Sequence, residues 1–237
     1  MTECATKGGV RGSSAEERIL RELVGVGQKI VARNLVVGPG GNLSVVWNGH
    51  MFISPSGAAL DELDVSDFVR LRIETGETVG TGRPSSEWAM HLACYRARPE
   101  VTAVVHTHPP LTIGVISAGV PIEPLFPDFA VLLPTTKVLD YIIPTTQELA
   151  TAVEDAARST DAILLRNHGV VTLGKTLREA YYRSELLETS ARILVAARTV
   201  GHPRVLTEDE TRAIQDLESE KYRVRYMQDA TVDTTPW

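Results

Sequence analysis

Asn48-Gly49, set between the short apolar runs 43–47 and 51–53, is the feature that most constrains how this chain can fold. A two-residue loop of this kind takes the left-handed conformations of a type I′ turn, whose twist suits two paired antiparallel strands. Around the hairpin, helix and strand patterns alternate along the chain. An all-parallel sheet with crossover helices is therefore excluded. The pattern predicts an α/β protein, a single αβα layered domain around a mixed or mainly antiparallel sheet.

Helix starts are marked by polar caps. Ser14-Ala15-Glu16-Glu17 reads as a capping box opening an amphipathic helix with Leu20, Leu23, Val24, Gly27, Ile30 and Val31 along one face, ending before Gly38. Ser85-Ser86-Glu87 starts a second, with Trp88, Leu92 and Tyr95 on one face and a stop before Pro99. Residues 111–118 look helical. Thr145-Thr146-Gln147-Glu148 and Thr176-Leu177-Arg178-Glu179 cap two more, the last running to about Gly201 with Ala180, Tyr181, Leu187, Leu194 and Val195 inward. Further strands are expected at 65–74, 101–105, 162–165 and 170–173. A last helix begins at Thr207.

Composition narrows the function classes. The chain has 237 residues, is 43% hydrophobic and carries a net charge of -6, which provides a core but no basic face for nucleic acid or an anionic membrane. Two cysteines make neither a disulfide framework nor a Cys-rich metal site, and suit a reducing cytosol. The Gly-rich start lacks the apolar segment of a signal peptide, and no run is long enough to span a membrane. A cytoplasmic protein is expected.

The chemistry concentrates in histidines. In Val104-Val105-His106-Thr107-His108, positions 106 and 108 share one face where a strand leaves the core. Two adjacent neutral imidazoles suit a transition metal. His168 ends another apolar strand, 162–165, and Gly169 after it permits a sharp turn. If both strands end at the same sheet edge, His106, His108 and His168 supply three ligands and leave positions open for water or substrate, the pattern of a Lewis-acid site. Glu87 and His91, four apart on one helix face, could be a further metal pair, an i,i+4 hydrogen bond or His91 simply a helix-face histidine; the three histidines suffice without them. Glu87, near a helix N-terminus that favours its charged form, reads better as an acid/base able to move a proton beside a carbonyl. His50 and His202 read as ordinary exposed residues. Three small-residue corners, Gly41-Asn42, Ser56-Gly57 and Ser85-Ser86, would make a phosphate cup if they converge.

The ordered motifs Gly41-Asn42-Leu43-Ser44, Ile53-Ser54-Pro55-Ser56-Gly57, Pro84-Ser85-Ser86-Glu87-Trp88, His106-Thr107-His108 and Asn167-His168-Gly169 strongly resemble the class II aldolase/adducin family, across roughly residues 17–201. The pattern is nearest to the fuculose-1-phosphate aldolase type. The resemblance implies a central mainly antiparallel sheet and a cyclic homotetramer with active sites between subunits. It also implies a catalytic domain over 14–222, between a flexible tail at 1–13 and a C-terminal tail at 223–237. It assigns His106, His108 and His168 to Zn2+ (or Mn2+ or Co2+), Glu87 to acid/base work, and Asn42, Ser56, Gly57, Ser85 and Ser86 to phosphate binding.

The implied reaction is retro-aldol cleavage of a ketose 1-phosphate to dihydroxyacetone phosphate and an aldehyde. Where the aldolase has a tyrosine after the His-x-His pair, this chain has Phe126-Pro127-Asp128-Phe129; Tyr222, Tyr226 and Trp237 are candidates for a tail tyrosine. The family also holds an epimerase, usually with Asp where this chain has Glu87, and decarboxylases of sugar acids or aromatic acids. A decarboxylase acting on a carboxylated substrate is the alternative reading. An adducin-like scaffold would need none of the four metal-site residues.

Overall fold

The computed structural model describes residues 14–229; the expected tail at 1–13, Cys4 and Trp237 lie outside them. In chain order the elements are α1 (Ala15–Ala32), β1 (Asn42–Trp47), β2 (His50–Ile53), β3 (Val69–Arg72), β4 (Thr78–Val79), α2 (Trp88–Ala97), β5 (Ala103–Thr107) and α3 (Pro110–Ser117). There follow α4 (Pro127–Leu132), β6 (Lys137–Leu139), α5 (Gln147–Ala157), β7 (Ala162–Leu165), β8 (Gly169–Gly174), α6 (Leu177–Val200), α7 (Glu208–Gln215) and α8 (Glu218–Gln228).

Eight strands form one sheet in the order β4-β3-β2-β1-β5-β8-β7-β6. Every pairing is antiparallel except β6 with β7. The hairpin turn is as expected, with φ of 49° at Asn48 and 75° at Gly49. The class is the expected αβα sandwich with a mainly antiparallel sheet.

Alternation along the central strands assigns each side chain to a layer. Leu43, Val45, Ala103 and Val105 face α1 and α6 among Leu23, Ile30 and Tyr181. Val104, Ile163, Leu165 and Val171 face the opposite way, packing with Met90 and Leu92 of α2 and Val153 of α5. A third cluster joins Ile116 of α3, Phe129 of α4, Leu164 and Leu187. By the same parity, Asn42 and Ser44 on β1 share the α2 side with His106, whose register partner is Asn42.

The helix caps form as the polar residues suggest. Ser14, Thr146, Thr176 and Thr207 each accept the backbone N–H three residues on, contacts worth about 1 kcal/mol apiece.

Two boundaries and one inward position differ. The strand expected at 65–74 shrinks to β3, because Asp64 and Asp67 turn the chain ahead of it: Asp67 Oδ2 accepts Asp64 N–H at 2.8 Å and Asp67 N–H reaches Asp64 O. Val195 is 39% exposed, whereas its neighbour Leu194 is buried; residues one apart on a helix diverge by about 100° and cannot both face the interface centre. The expected tail boundary at 223 falls inside α8. That helix is tied down where Met227 O accepts from Thr176 Oγ1 at 2.7 Å and Tyr226 O from Arg178 at 2.7 Å. Among the described residues, no helix is long and apolar enough to cross a membrane.

Candidate metal centre

Two antiparallel neighbours, β5 and β8, and the start of α2 bring four donors together. Glu87, His106, His108 and His168 each offer an atom, all within 4.8 Å of one another. His106 Nε2 lies 3.0 Å from His108 Nε2 and 3.1 Å from Glu87 Oε2, and His168 Nε2 lies 3.2 Å from Glu87 Oε1. The three rings pack at centroid distances of 4.8, 4.9 and 5.4 Å.

The donor set fits a divalent cation. His106 Nδ1–H donates to Val170 O at 2.9 Å, which leaves the neutral ring's Nε2 as a bare lone pair aimed into the cluster. His106 is fully buried, yet Glu87 Oε1 finds no hydrogen-bond partner. A buried convergence of imidazole lone pairs and a carboxylate is costly without positive charge, and N/O donors of this kind suit zinc-like ions.

The close ring packing depends on Gly169. A Cβ there would meet Thr107 O at 2.4 Å, His108 Cδ2 at 2.7 Å and His106 Cε1 at 3.2 Å. Gly169 therefore serves close approach; the turn expected of it is taken by Asn167, at φ 58°. Gly169→Ala should destabilise the protein by roughly 1–3 kcal/mol through overpacking and should weaken metal binding. An unfolding midpoint equal to wild type would disprove this account of the close packing.

Glu87 is the N-cap residue of α2, one position earlier than expected, and its carboxylate does not cap its own helix. Ser85 Oγ accepts Glu87 N–H at 3.3 Å instead. The side chain is thereby released toward the histidines and is steadied by Asn42 Nδ2, which donates to Oε2 at 3.0 Å. Burial by itself would raise the Glu87 carboxyl. The charge and hydrogen bond of His106, with His168 and Asn42, hold it well below the usual carboxylate range. Burial lowers His106 too, but Glu87 and the Val170 carbonyl prevail and shift it up. Burial, reinforced by its histidine neighbours, pushes His108 down to about 3.

His91 is neither the metal ligand nor the i,i+4 partner of Glu87 that its spacing allowed. It is fully buried, and it neither joins the metal donors nor bonds to Glu87; its Nε2 meets Asn42 Oδ1 and its Nδ1 meets Ser44 Oγ at 2.7 Å. Burial, then His106, holds it down at about 3. His91 and His108 are thus neutral in the fold but charge in the unfolded chain below their ordinary 6.5. They withdraw stability as pH falls from about 6.5 toward 3. Glu87, ordinarily 4.5 and depressed here, adds to that loss in the acid range, while the raised His106 favours folding below 6.5 and loses that effect as pH rises. The metal-free protein should show a urea midpoint that falls steadily below about pH 6.5, less steeply in His91→Gln. A flat profile down to about pH 4 would contradict the buried neutral imidazoles.

The three corners meet through the backbone. Ser54 N–H donates to Leu43 O at 3.1 Å, Ser85 N–H to Ser54 O at 3.0 Å, and Pro55 and Pro84 form an isolated antiparallel bridge. Ser56, Gly57 and Ser86 are exposed, Ser85 is buried, and Gly57 adopts φ 83°. Asn42 is buried with both ends of its amide engaged, so only its second N–H hydrogen is left for a phosphate.

Two residues that the sequence reading passed over hold the His-x-His segment from the α6 side. Thr107 Oγ1 and Ser184 Oγ are 2.6 Å apart, and Glu188 accepts from Leu111 N, Thr112 N and Thr112 Oγ1 at 3.0–3.2 Å. Polar residues four apart on the inward face of an apolar helix are the signal that could have found them.

Comparison with known proteins agrees with this geometry. Residues 21–195 match the Class II Aldolase and Adducin N-terminal domain. The chain belongs to the class II aldolase and adducin family. The 5-deoxy-D-ribulose 1-phosphate aldolase of Bacillus thuringiensis serovar kurstaki is 33% identical over 80% of this chain and 90% of its own. The 3-oxo-tetronate 4-phosphate decarboxylase of Haemophilus influenzae is 31% identical over 83% and 94%. A solved L-fuculose 1-phosphate aldolase superposes with a TM-score of 0.79 at 32% identity, covering 89% of this chain and 98% of that one. With an intact four-donor cluster and aldolase relatives, the protein stands with the family's lyases, not with its scaffold branch.

Proposed function

We propose that this lyase cleaves a ketose 1-phosphate by a retro-aldol reaction, giving dihydroxyacetone phosphate and an aldehyde, with zinc as its resident ion. The observation that carries the reading is the placement of Glu87. An ionised, buried carboxylate sits against His106 and His168, two residues along from Ser85 in the bridged small-residue corner. A divalent ion held by His106, His108 and His168 supplies Lewis-acid stabilisation of negative charge on substrate oxygens, a part that manganese or cobalt could also play.

The chain's own residues do the rest. In the condensing direction, the Glu87 carboxylate takes the proton from the hydroxyl-bearing carbon beside the carbonyl; in cleavage, the hydroxyl that becomes the aldehyde gives its proton to solvent, and the Glu87 carboxyl, protonated from solvent in exchange, delivers one to that carbon. Exposed Ser86 and Ser56, with the backbone of Gly57, can donate to a phosphate, and the Ser85 hydroxyl keeps its own hydrogen after accepting from Glu87 N–H. The site needs little formal positive charge for this.

Decarboxylation of a phosphorylated sugar acid is the second reading. It is favoured by the segment of Phe126, which has phenylalanines where the aldolase pattern has a tyrosine. Phe129 is buried in the core, and Asp128 is held by Arg223 at 2.9 Å. Ketose 1-phosphates and phosphorylated 3-oxo acids, assayed side by side for aldehyde and carbon dioxide release, separate the two. Aldehyde release alone supports the aldolase, and carbon dioxide release alone overturns it. Ser86→Ala should raise KM for the phosphorylated substrate roughly 10–100-fold, about what losing one hydrogen bond to a charged group costs, with little change in kcat. An unchanged KM would argue that the phosphate sits elsewhere.

A further inference from the structure

We infer that His91 and Asn42 are positioning residues for Glu87, set by a hydrogen-bond chain that runs in one direction from the core to the carboxylate. The inference rests on Glu87 being the acid/base of the proposed reaction. Each link follows from what its atoms can do. An ionised carboxylate only accepts, so the group of Asn42 that faces Glu87 Oε2 at 3.0 Å is the NH2. That turns Asn42 Oδ1, another acceptor, toward His91 Nε2, which must carry the hydrogen. With the proton on Nε2, the neutral ring presents a bare Nδ1, and the atom beside it at 2.7 Å is Ser44 Oγ, which supplies its hydroxyl hydrogen. Ser44 Oγ in turn lies 2.7 Å from Tyr95 OH, whose hydrogen is also within reach of Ser44 O at 3.0 Å.

Every member of this chain is buried, at 0% exposure for Ser44 and His91 and 4% for Asn42 and Tyr95. No water competes for these bonds, so a reversed link would leave a buried polar atom facing its like. The fold builds the chain from two elements only. Asn42 and Ser44 alternate onto the α2 side of β1, and Glu87, His91 and Tyr95 recur every four residues at and along α2. Glu87 precedes the first helical residue, where a side chain has most freedom. Asn42 limits that freedom, and His91 prevents the Asn42 amide from turning over. A five-residue set that joins sheet to helix thus holds the proton-transfer group in place.

The tautomer of His91 can be read in the wild-type protein. Histidine 15N-labelled, zinc-loaded enzyme should show His91 protonated at Nε2 and bare at Nδ1 through the neutral range; protonation at Nδ1 instead would overturn the inference. Variants supply the functional arm. His91→Gln places an amide N–H near the position of Nε2, whereas His91→Leu removes the donor. His91→Leu should lower kcat at least tenfold with KM nearly unchanged, and His91→Gln should recover to within about threefold of wild type. Cobalt affinity, followed by visible absorption without any substrate, should weaken roughly 10–100-fold in His91→Leu, as for loss of a partner behind the metal donors. Equal impairment of the Gln and Leu variants would assign His91 to packing alone, and so would wild-type cobalt affinity in both. The NMR and cobalt readouts hold whichever substrate the enzyme prefers, so a wrong reaction assignment and a wrong relay give different results.

Discussion

Glu87→Gln should lower turnover by roughly 10²–10⁴-fold while the far-ultraviolet circular dichroism stays close to wild type; the unfolding midpoint of the metal-free protein should fall, because the stability carried by the depressed carboxyl goes with its charge. Glutamine matches the carboxylate in shape and can still accept from Asn42 Nδ2, so the packing at the start of α2 survives. It cannot take a proton from carbon or return one. It also removes the charge that stands 3.1 Å from His106 and 3.2 Å from His168, so the metal-free site should lose part of the electrostatic support that raises His106. The decisive measurement is kcat on the best substrate from the panel. Activity within a few-fold of wild type would remove Glu87 from the proton-transfer step, even if the metal site stood.

His106→Ala should abolish stoichiometric metal binding, and with it all turnover. The ring does three things from a fully buried position: its Nδ1–H satisfies Val170 O, and its Nε2 faces both His108 and Glu87. Alanine leaves a void, removes the side-chain donor to Val170 O and deprives the Glu87 carboxylate of its nearest imidazole. The loss of metal affinity should exceed the 10–100-fold typical of a partner lying behind the ligands. The unfolding free energy should fall by several kcal/mol, as for other large-to-small changes in a core. Metal analysis after dialysis tests this directly: one bound equivalent in the variant would refute the three-histidine set. His50→Ala is the contrasting control, because its ring merely turns back onto Asn48 O in the exposed hairpin.

Local signals carried much of the architecture. Asn48-Gly49 dictated the hairpin because few other dipeptides accept two successive left-handed residues. Ser14, Thr146, Thr176 and Thr207 marked helix starts because a hydroxyl there meets a backbone donor that the helix cannot satisfy itself. Strands β7 and β8 were legible as apolar runs. By contrast β4, only two residues long, has no pattern of its own and exists because β3 offers it an edge.

The sequence by itself determined which side chains could bind a metal: imidazoles two apart on a strand must share a face, and His168 ends an apolar run. It could not say that β5 and β8 are neighbours, since pairing between segments some sixty residues apart is a property of the whole sheet. Nor could it assign His91. The same four-residue spacing serves a metal pair, a helix-face contact or a buried relay, and the choice fell to β1, which brings Asn42 and Ser44 against α2. Tertiary structure decided the roles because a side chain's chemistry depends on what it is buried against, and local periodicity specifies only which way it points.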